Sequence, residues 1–469
     1  MNIFSLKYFG FFFLIISFFS FFNIIYSYYF NLLNNLSNYI FTFTITMIIG
    51  LFLVLFKKYK FEKINLFERI LIVLIGYIIL PIVISIPYYS NLDNLGLINC
   101  YFEAISGFTS TGFTIFNDLN QLDQTLILWR SSSQWIGGLY FLFSILLLID
   151  VFDENLKRSL TNYISLNSSE IFKQVFKIIV IYLFMTILIF VMLKLVNLRS
   201  YDAYNYSLSI ISSGGFLPND NFDATFDTDI SKIILSISML FSFFSLFFIF
   251  NLIFFKKKNI NYLSEDINIL IYLLIVLVLS FIFLNYDNNF LNILVSISSS
   301  VSNIGISFEQ VPNNLVFVFL ILVILGGSFF STSSGLRVIK VLTLIKFSLN
   351  NLLSHSKPNQ VYSNKLSLNK ISANINDINK YFFAIIIFIF SLFLISILLT
   401  FSNLDFESSF KLGILTIMNT VNSPMYDLAD LNFYNFSIFG KISLIIFMII
   451  GRIELLSVII LLKKFLFKN

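Results

Sequence analysis

A chain of 469 residues that is 58% hydrophobic and only 12% charged, with a mean hydropathy of +0.88, holds more Phe, Ile and Leu than a water-facing fold can hide. A single cysteine, Cys100, excludes an intramolecular disulfide and a cysteine metal cluster, and a single histidine, His355, leaves no His-based metal site and no Ser/His triad. The formal charge of +5 is ordinary, and its distribution says more than its size.

Crossing a bilayer takes about 20 apolar residues. Runs of that kind recur at 8–30, 38–56, 66–87, 130–150, 174–196, 231–254, 268–285, 315–346, 381–401 and 440–466. The first is read as a retained span, because no small-residue cleavage site follows it. Ten crossings place both termini on one side of the membrane. Basic residues gather on that side: Lys57, Lys58, Lys60 and Lys63, then Lys157 and Arg158, then Lys256, Lys257 and Lys258, then Lys357, Lys365 and Lys370, then Lys463, Lys464 and Lys468. The opposite segments, roughly 88–129, 197–230, 286–314 and 402–439, hold only Arg199 and Lys411 but 15 of the 25 acidic residues. The positive-inside rule then puts both termini of this multi-pass chain in the cytoplasm, with the inner (plasma) membrane as its expected location.

Each opposite segment carries an apolar stretch too short to span, a small polar cluster and an acidic loop. The clusters are TSTGFT (109–114), SSGGFL (212–217), SNIGIS (302–307) and NTVNSP (419–424). With Gly112, Gly215, Gly305 and Asn422 as equivalents, the spacings are 103, 90 and 117 residues. That is an internal repeat. It predicts an all-α polytopic membrane protein, with an N-terminal two-helix hairpin and four pseudo-symmetric span–pore helix–filter loop–span repeats around one central pore. The boundaries are 1–60 for the hairpin, 61–155, 156–262 and 263–350 for three repeats, and 351–469 for a cytoplasmic linker with the fourth repeat.

Irregular backbone at membrane depth must face protein or water. Small residues let the chain extend with its carbonyls aimed inward, and rings of carbonyls can replace an ion's hydration shell. The C-terminal end of each short helix would add partial negative charge. This chemistry favours a monovalent cation. The candidate ion ligands are Ser110, Thr111 and Gly112; Ser213, Gly214 and Gly215; Asn303, Ile304 and Gly305; and Thr420, Val421 and Asn422. Asp118, Asp220, Glu309 and Asp427 follow these positions by four to six residues, and are read as an outer acidic ring that concentrates cations. Gly326, Gly327, Ser331, Thr332, Ser333, Ser334 and Gly335 interrupt an apolar helix and can take more than one backbone state. Arg452 lies inside the last apolar span at a cost of at least ~2.5 kcal/mol and should face a cavity, while Glu454 points elsewhere on the helix.

These residues resemble the TrkH/KtrB superfamily of bacterial potassium uptake proteins, and look closest to its TrkH branch. FEAISGFTSTGFT with WRSSSQWIGG (129–138) is similar to the first filter and the following helix, and ISSGGFLPND (211–220) to the second filter. GGSFFSTSSGLRVIKVLTLIK (326–346) looks like the long inner helix of the third repeat with its glycine/serine-rich break. KPNQVYSNKL (357–366) and GRIELLSVIILL (451–462) resemble the cytoplasmic linker and last helix. The resemblance implies a potassium pathway through four non-identical repeats, a homodimer, and a separate cytoplasmic nucleotide-binding regulatory ring of TrkA type. It also implies a gate made of the 326–335 loop and Arg452 below the filter. The implied transported ion is K⁺, with no covalently bound cofactor, and the implied partners are the lipid bilayer and protein, not nucleic acid.

The sequence departs from the family pattern in three places. Asn422 stands for a glycine, Ile304 precedes Gly305 where alanine or threonine is usual, and Phe329 and Phe330 stiffen the break. A sodium-permeable or poorly selective channel of the same fold is therefore the alternative. An ion-coupled secondary carrier is a further one, but carriers use inverted repeats and midplane ionisable groups. An enzyme would need a cluster of His, Asp, Glu or Cys that the chain does not have.

Overall fold

Lipid offers no hydrogen bonds, so a spanning chain must satisfy its backbone within helices. The computed structural model describes residues 3–55, 66–91, 95–148, 171–253, 263–283, 290–356 and 375–453. The described chain is mostly helical. An antiparallel pair, α1 (Ile3–Tyr29) and α2 (Leu36–Leu55), comes first, followed by α3 (Leu66–Ile84) and the short α4 (Ile86–Asn91). Next come α5 (Leu97–Phe108), α6 (Gln124–Leu148), α7 (Ile171–Lys194) and α8 (Ser200–Ile211). The following run is α9 (Asp229–Phe243), α10 (Leu246–Ile253), α11 (Leu263–Phe283) and α12 (Phe290–Val301). After α13 (Val316–Ile324), two short strands, β1 (Leu325–Gly326) and β2 (Leu336–Arg337), pair in parallel. The chain continues through α14 (Val338–Ser356), α15 (Ile375–Thr400), α16 (Phe406–Ile417) and α17 (Ile438–Ile453).

Six of the described helices are long and apolar enough to cross a membrane: Lys7–Tyr29, Leu33–Leu55, Phe67–Tyr89, Gln124–Leu148, Gln174–Lys194 and Ile378–Thr400. Among the described residues, two of the expected spans, 231–254 and 315–346, are broken helices, and 66–87 is interrupted only at Ser85. The break in 315–346 was legible from its glycines and serines. The break in 231–254, between Phe243 and Leu246, was not, because no Gly or Pro marks it. Its cause is tertiary. The 325–337 loop takes the freed backbone groups: Ser328 N donates to Phe243 O at 3.0 Å, Ser333 N to Ser242 O at 3.2 Å, and Leu246 N to Phe330 O at 3.0 Å. The basic clusters from Lys57 to Lys63, at Lys157 and Arg158, at Lys256 to Lys258, at Lys357 to Lys370 and at Lys463 to Lys468 lie outside the described residues, as do the 357–366 linker and Glu454.

Helix α6 sits at the centre, with every residue from Thr125 to Leu148 buried. It is also unusually polar for a buried helix, with Arg130, Ser131, Ser132, Ser133 and Gln134 in succession. Peripheral helices behave oppositely. On α15, Phe382, Phe383, Ile386, Phe390, Phe393 and Ile397 are exposed, as a lipid-facing side requires. Aromatic packing locks α6 to its neighbours: Tyr140 meets Phe12 and Tyr77 edge-on at 4.8 and 4.9 Å. Its hydroxyl donates to Val73 O at 3.1 Å and Ile72 O at 3.2 Å in α3.

Two glycines of α6 seat the ends of the short helices. A Cβ on Gly137 would land on the Phe108 carbonyl at the end of α5, and one on Gly138 would come within 2.8 Å of Ser212 Cβ just past α8. A backbone carbonyl cannot swing away as a flexible side chain can. Gly137→Ala should therefore lower stability by about 1–3 kcal/mol through overpacking, whereas Gly96→Ala, with no heavy atom within 4 Å, should be near neutral. Thermal unfolding in detergent micelles reads the difference, and equal midpoints would contradict this packing.

Candidate ion-conduction site

Four helices of 12 residues each, α5, α8, α12 and α16, end in the same way. Two residues past each end sits a residue in the left-handed region: Ser110 (φ 55°), Ser213 (54°), Asn303 (60°) and Asn419 (50°). Its N–H turns back three residues, Ser110 N to Gly107 O (2.9 Å), Ser213 N to Ile210 O (3.0 Å), Asn303 N to Ser300 O (3.1 Å) and Asn419 N to Thr416 O (3.2 Å). The next N–H turns back five, Thr111 N to Ser106 O (2.9 Å), Gly214 N to Ser209 O (2.8 Å), Ile304 N to Ser299 O (3.0 Å) and Thr420 N to Leu415 O (2.9 Å). This is the Schellman closure, which satisfies the last carbonyls of a helix and releases the chain in a new direction. Asparagine tolerates the left-handed turn better than serine does. The serine turns are held from outside, by Ser213 Oγ with Thr332 Oγ1 at 3.2 Å and by Ser110 Oγ donating to Gln134 O at 3.5 Å.

The shared hydrogen-bond pattern fixes the register. Two residues beyond each left-handed turn stand Gly112, Gly215, Gly305 and Val421. The fourth equivalent is thus Val421, and the sequence alignment that placed Asn422 there is off by one. Asparagine at 422 suggested a stand-in for glycine because it tolerates a left-handed φ, but that turn is made earlier, by Asn419. Asn422 instead donates its side-chain amide to Leu428 O at 3.1 Å and ties down the following loop. Gly112 and Gly305 take φ of +86°, where an L side chain is strained.

The four loops meet. A Cβ on Gly112 would come within 3.0 Å of both Gly215 Cα and Val421 Cβ, and one on Gly305 within 2.6 Å of Val421 O. Outside them opens a cavity of about 430 Å³ whose wall includes Gly112, Gly215, Val421, Arg130, Asp220 and Asp430. The expected acidic ring is not assembled there, because each outer loop folds differently despite similar offsets. Asp220 reaches the cavity and accepts from Leu119 N at 2.9 Å and Asn120 Nδ2 at 3.0 Å; partial burial raises its pKa above the usual carboxylate range. Asp118 caps the 119–121 turn, and the Asn120 N–H it accepts holds its pKa below that range. Asp427 is drawn aside by Lys411 Nζ at 3.1 Å, and Glu309 contributes its N–H to Asp223 Oδ2 at 3.3 Å. Asp430, not singled out from sequence, is the other acid at the cavity wall.

Helix α6 supplies the polar supports that sequence reasoning missed. Glu103, fully buried, accepts from Arg130 Nε at 2.9 Å, Ile115 N at 2.9 Å and Thr114 Oγ1 at 3.1 Å, fastening the outgoing strand of the first loop. The Arg130 guanidinium also lies 4.1 Å over the Phe216 ring. Turned so that both amide ends are satisfied, Gln134 accepts from Gly215 N and Phe216 N at 3.1 Å each and donates to Ser209 Oγ at 2.8 Å. The available signal was a run of polar residues inside a span that composition makes wholly buried.

Beneath the loops lies the 325–337 segment. Gly335 turns at φ +90°, and Arg337 Nη1 binds Ser328 O, Ser331 Oγ and Ser333 O at 2.9, 3.2 and 3.0 Å. Thr332 Oγ1 donates to Ile211 O at 2.8 Å, and Gly327 N to Ser333 Oγ at 3.0 Å. A Cβ on Gly326 would strike the Ser334 carbonyl. Arg452, 1% exposed, donates Nη1 to Thr332 O (2.9 Å) and Ser334 Oγ (2.6 Å), and Nη2 to Ser212 O (3.2 Å). It therefore bridges the loop to the end of the second short helix. Ser334 Oγ reaches Asn419 Oδ1 at 3.4 Å, a second tie to the loops above.

No family model matches the chain. It is 26% identical to the Trk system potassium uptake protein TrkH of Salmonella typhimurium over 441 residues, 90% of each chain. It is 25% identical over 456 residues, 91% of this chain and 90% of the other, to an uncharacterized cation transporter of Methanocaldococcus jannaschii. The crystal structure of the potassium transporter TrkH from Vibrio parahaemolyticus superposes with a TM-score of 0.82 at 21% identity, over 98% of this chain and 99% of that one. The resemblance to the TrkH/KtrB superfamily holds. It runs through all the elements described above, and with the apolar helices it makes the chain a multi-pass membrane protein. The TrkH-type relatives are transport proteins, not enzymes.

Hydrogen bonds to a charged donor contribute about 1.5–3 kcal/mol each, and Arg452 makes two to the 325–337 loop and a third to Ser212 O, so it ties the loop to the neighbouring helix end. In a Cys100→Ser, Ser328→Cys background, Arg452→Gln should speed labelling by a water-soluble maleimide at least about tenfold, since 1.4 kcal/mol is tenfold. An unchanged labelling rate would show that the loop is held by something else.

Proposed function

We propose that the chain is the pore-forming subunit of a monovalent cation uptake system, with potassium as the ion it carries inward across the cell membrane. One observation carries this reading: four short helices close identically and bring four extended, uncharged loops into contact with one another, three of them at the wall of the outer cavity. Backbone carbonyls of Ser110–Gly112, Ser213–Gly215, Asn303–Gly305 and Asn419–Val421 would replace the ion's hydration shell. The four units around this centre are the repeats bounded at 61–155, 156–262, 263–350 and 351–469, with the 1–60 hairpin outside them. The 325–337 loop is the gate, and the Arg452 charge beneath the filter is an electrostatic barrier that moves with it.

The names of the relatives support potassium uptake within a multicomponent Trk system. A homodimer in the inner membrane, with cytoplasmic termini and a separate TrkA-type nucleotide-binding ring driving the gate, is the assembly this reading implies. A sodium-permeable or poorly selective path is the second reading, favoured by Val421 standing where three other loops have glycine.

Potassium and sodium flux into proteoliposomes tests the proposal. Wild type should carry a saturable cation flux and no chloride flux, and Gly215→Val should abolish it, because a side chain there collides with Val421 and crowds Ile304 O. Flux that survives Gly215→Val would place the ion path elsewhere. At low ionic strength, Asp220→Asn should reduce cation flux a few-fold, with recovery in high salt as the mouth field is screened. Asp427→Asn should leave flux unchanged, since that carboxylate is already paired with Lys411.

A further inference from the structure

Val421 is the one member of the converging quartet with a side chain, and that side chain faces the other loops. Each hypothetical Cβ on Gly112 and Gly215 meets Val421 Cβ among its nearest neighbours. Val421 is 9% exposed and forms part of the outer cavity wall, so its methyl groups lie at the glycine level of the cation path. Its backbone adds a second feature: Val421 N donates to Ile304 O at 3.4 Å, a direct bond between the fourth loop and the third. One carbonyl of the third loop is thereby shared with a protein donor.

We infer that Val421 sets the size limit of the path. This rests on the reading of the four loops as an ion filter. An isopropyl group occupies space that a glycine would leave open, while the Val421 carbonyl remains a backbone oxygen like those of the other three loops. The fourth quadrant is therefore narrow at the level where Gly112, Gly215 and Gly305 present backbone alone. A large bare cation loses room there, while a small one still fits. Val421 is outside the left-handed region, so neither glycine nor alanine at this position requires a new backbone conformation.

The test compares wild type, Val421→Ala and Val421→Gly in proteoliposomes with Li⁺, Na⁺, K⁺ and Rb⁺. The Rb⁺-to-Li⁺ flux ratio should rise from valine through alanine to glycine, by at least about tenfold overall. Flux that persists with an unchanged ratio overturns the inference and leaves the pore reading intact. If none of the three proteins conducts, thermal unfolding in detergent decides without the gate. Binding to the folded state raises the midpoint, so a Rb⁺-dependent rise in Val421→Gly that wild type lacks supports the inference. Equal Rb⁺ response in both overturns the size limit alone, and no cation response in either overturns the filter reading together with it.

Discussion

The turn at the end of each short helix is the constraint on which the rest depends. A helix that stops inside a membrane leaves carbonyls that lipid cannot satisfy, and each must find a donor nearby. The left-handed residues Ser110, Ser213, Asn303 and Asn419 supply it from the chain itself, in two bonds per helix. Because the closure is the same four times, the following residues leave each helix in equivalent directions and arrive at one place. Had the ends been capped by other side chains, the loops would have no reason to converge.

Convergence creates a second demand, since extended loops have few bonds of their own. The fully buried α6 meets it with Glu103–Arg130 acting on the first loop and Gln134 on the second. A buried ion pair is weak evidence of stability, but removing one partner strands a charge at a cost of about 3–5 kcal/mol. Here the pair is held by further bonds to Thr114 and Ile115, so it fixes a strand rather than merely surviving burial. Below the loops, Nη1 and Nη2 of Arg452 donate to oxygens of two different segments. A charge whose contacts span a loop and a fixed helix end couples the two, and any change in one is felt at the other.

Much of this was legible in the sequence. Helices followed from apolar runs, the four loops from small polar clusters on the acidic side, and the 326–335 break from its glycines and serines. Three features were not. The register of the fourth loop is decided by hydrogen bonds at the end of α16, which composition does not show, and asparagines at both 419 and 422 made the wrong one plausible. The break at Phe243–Leu246 is imposed by a loop more than 80 residues away. The acidic residues share offsets but not folds: Asp220 turns toward the cavity, while Asp427 is captured by Lys411. Side-chain direction in an irregular loop depends on local bonding that spacing alone cannot encode.

Direct observation of a cation would test the central claim most sharply. Crystals grown in a thallium or rubidium salt should show anomalous density on the axis bounded by Gly112, Gly215, Gly305 and Val421, with protein carbonyls as the nearest atoms. Density confined to the outer cavity beside Asp220 and Asp430, or to any position outside the four loops, would contradict the account.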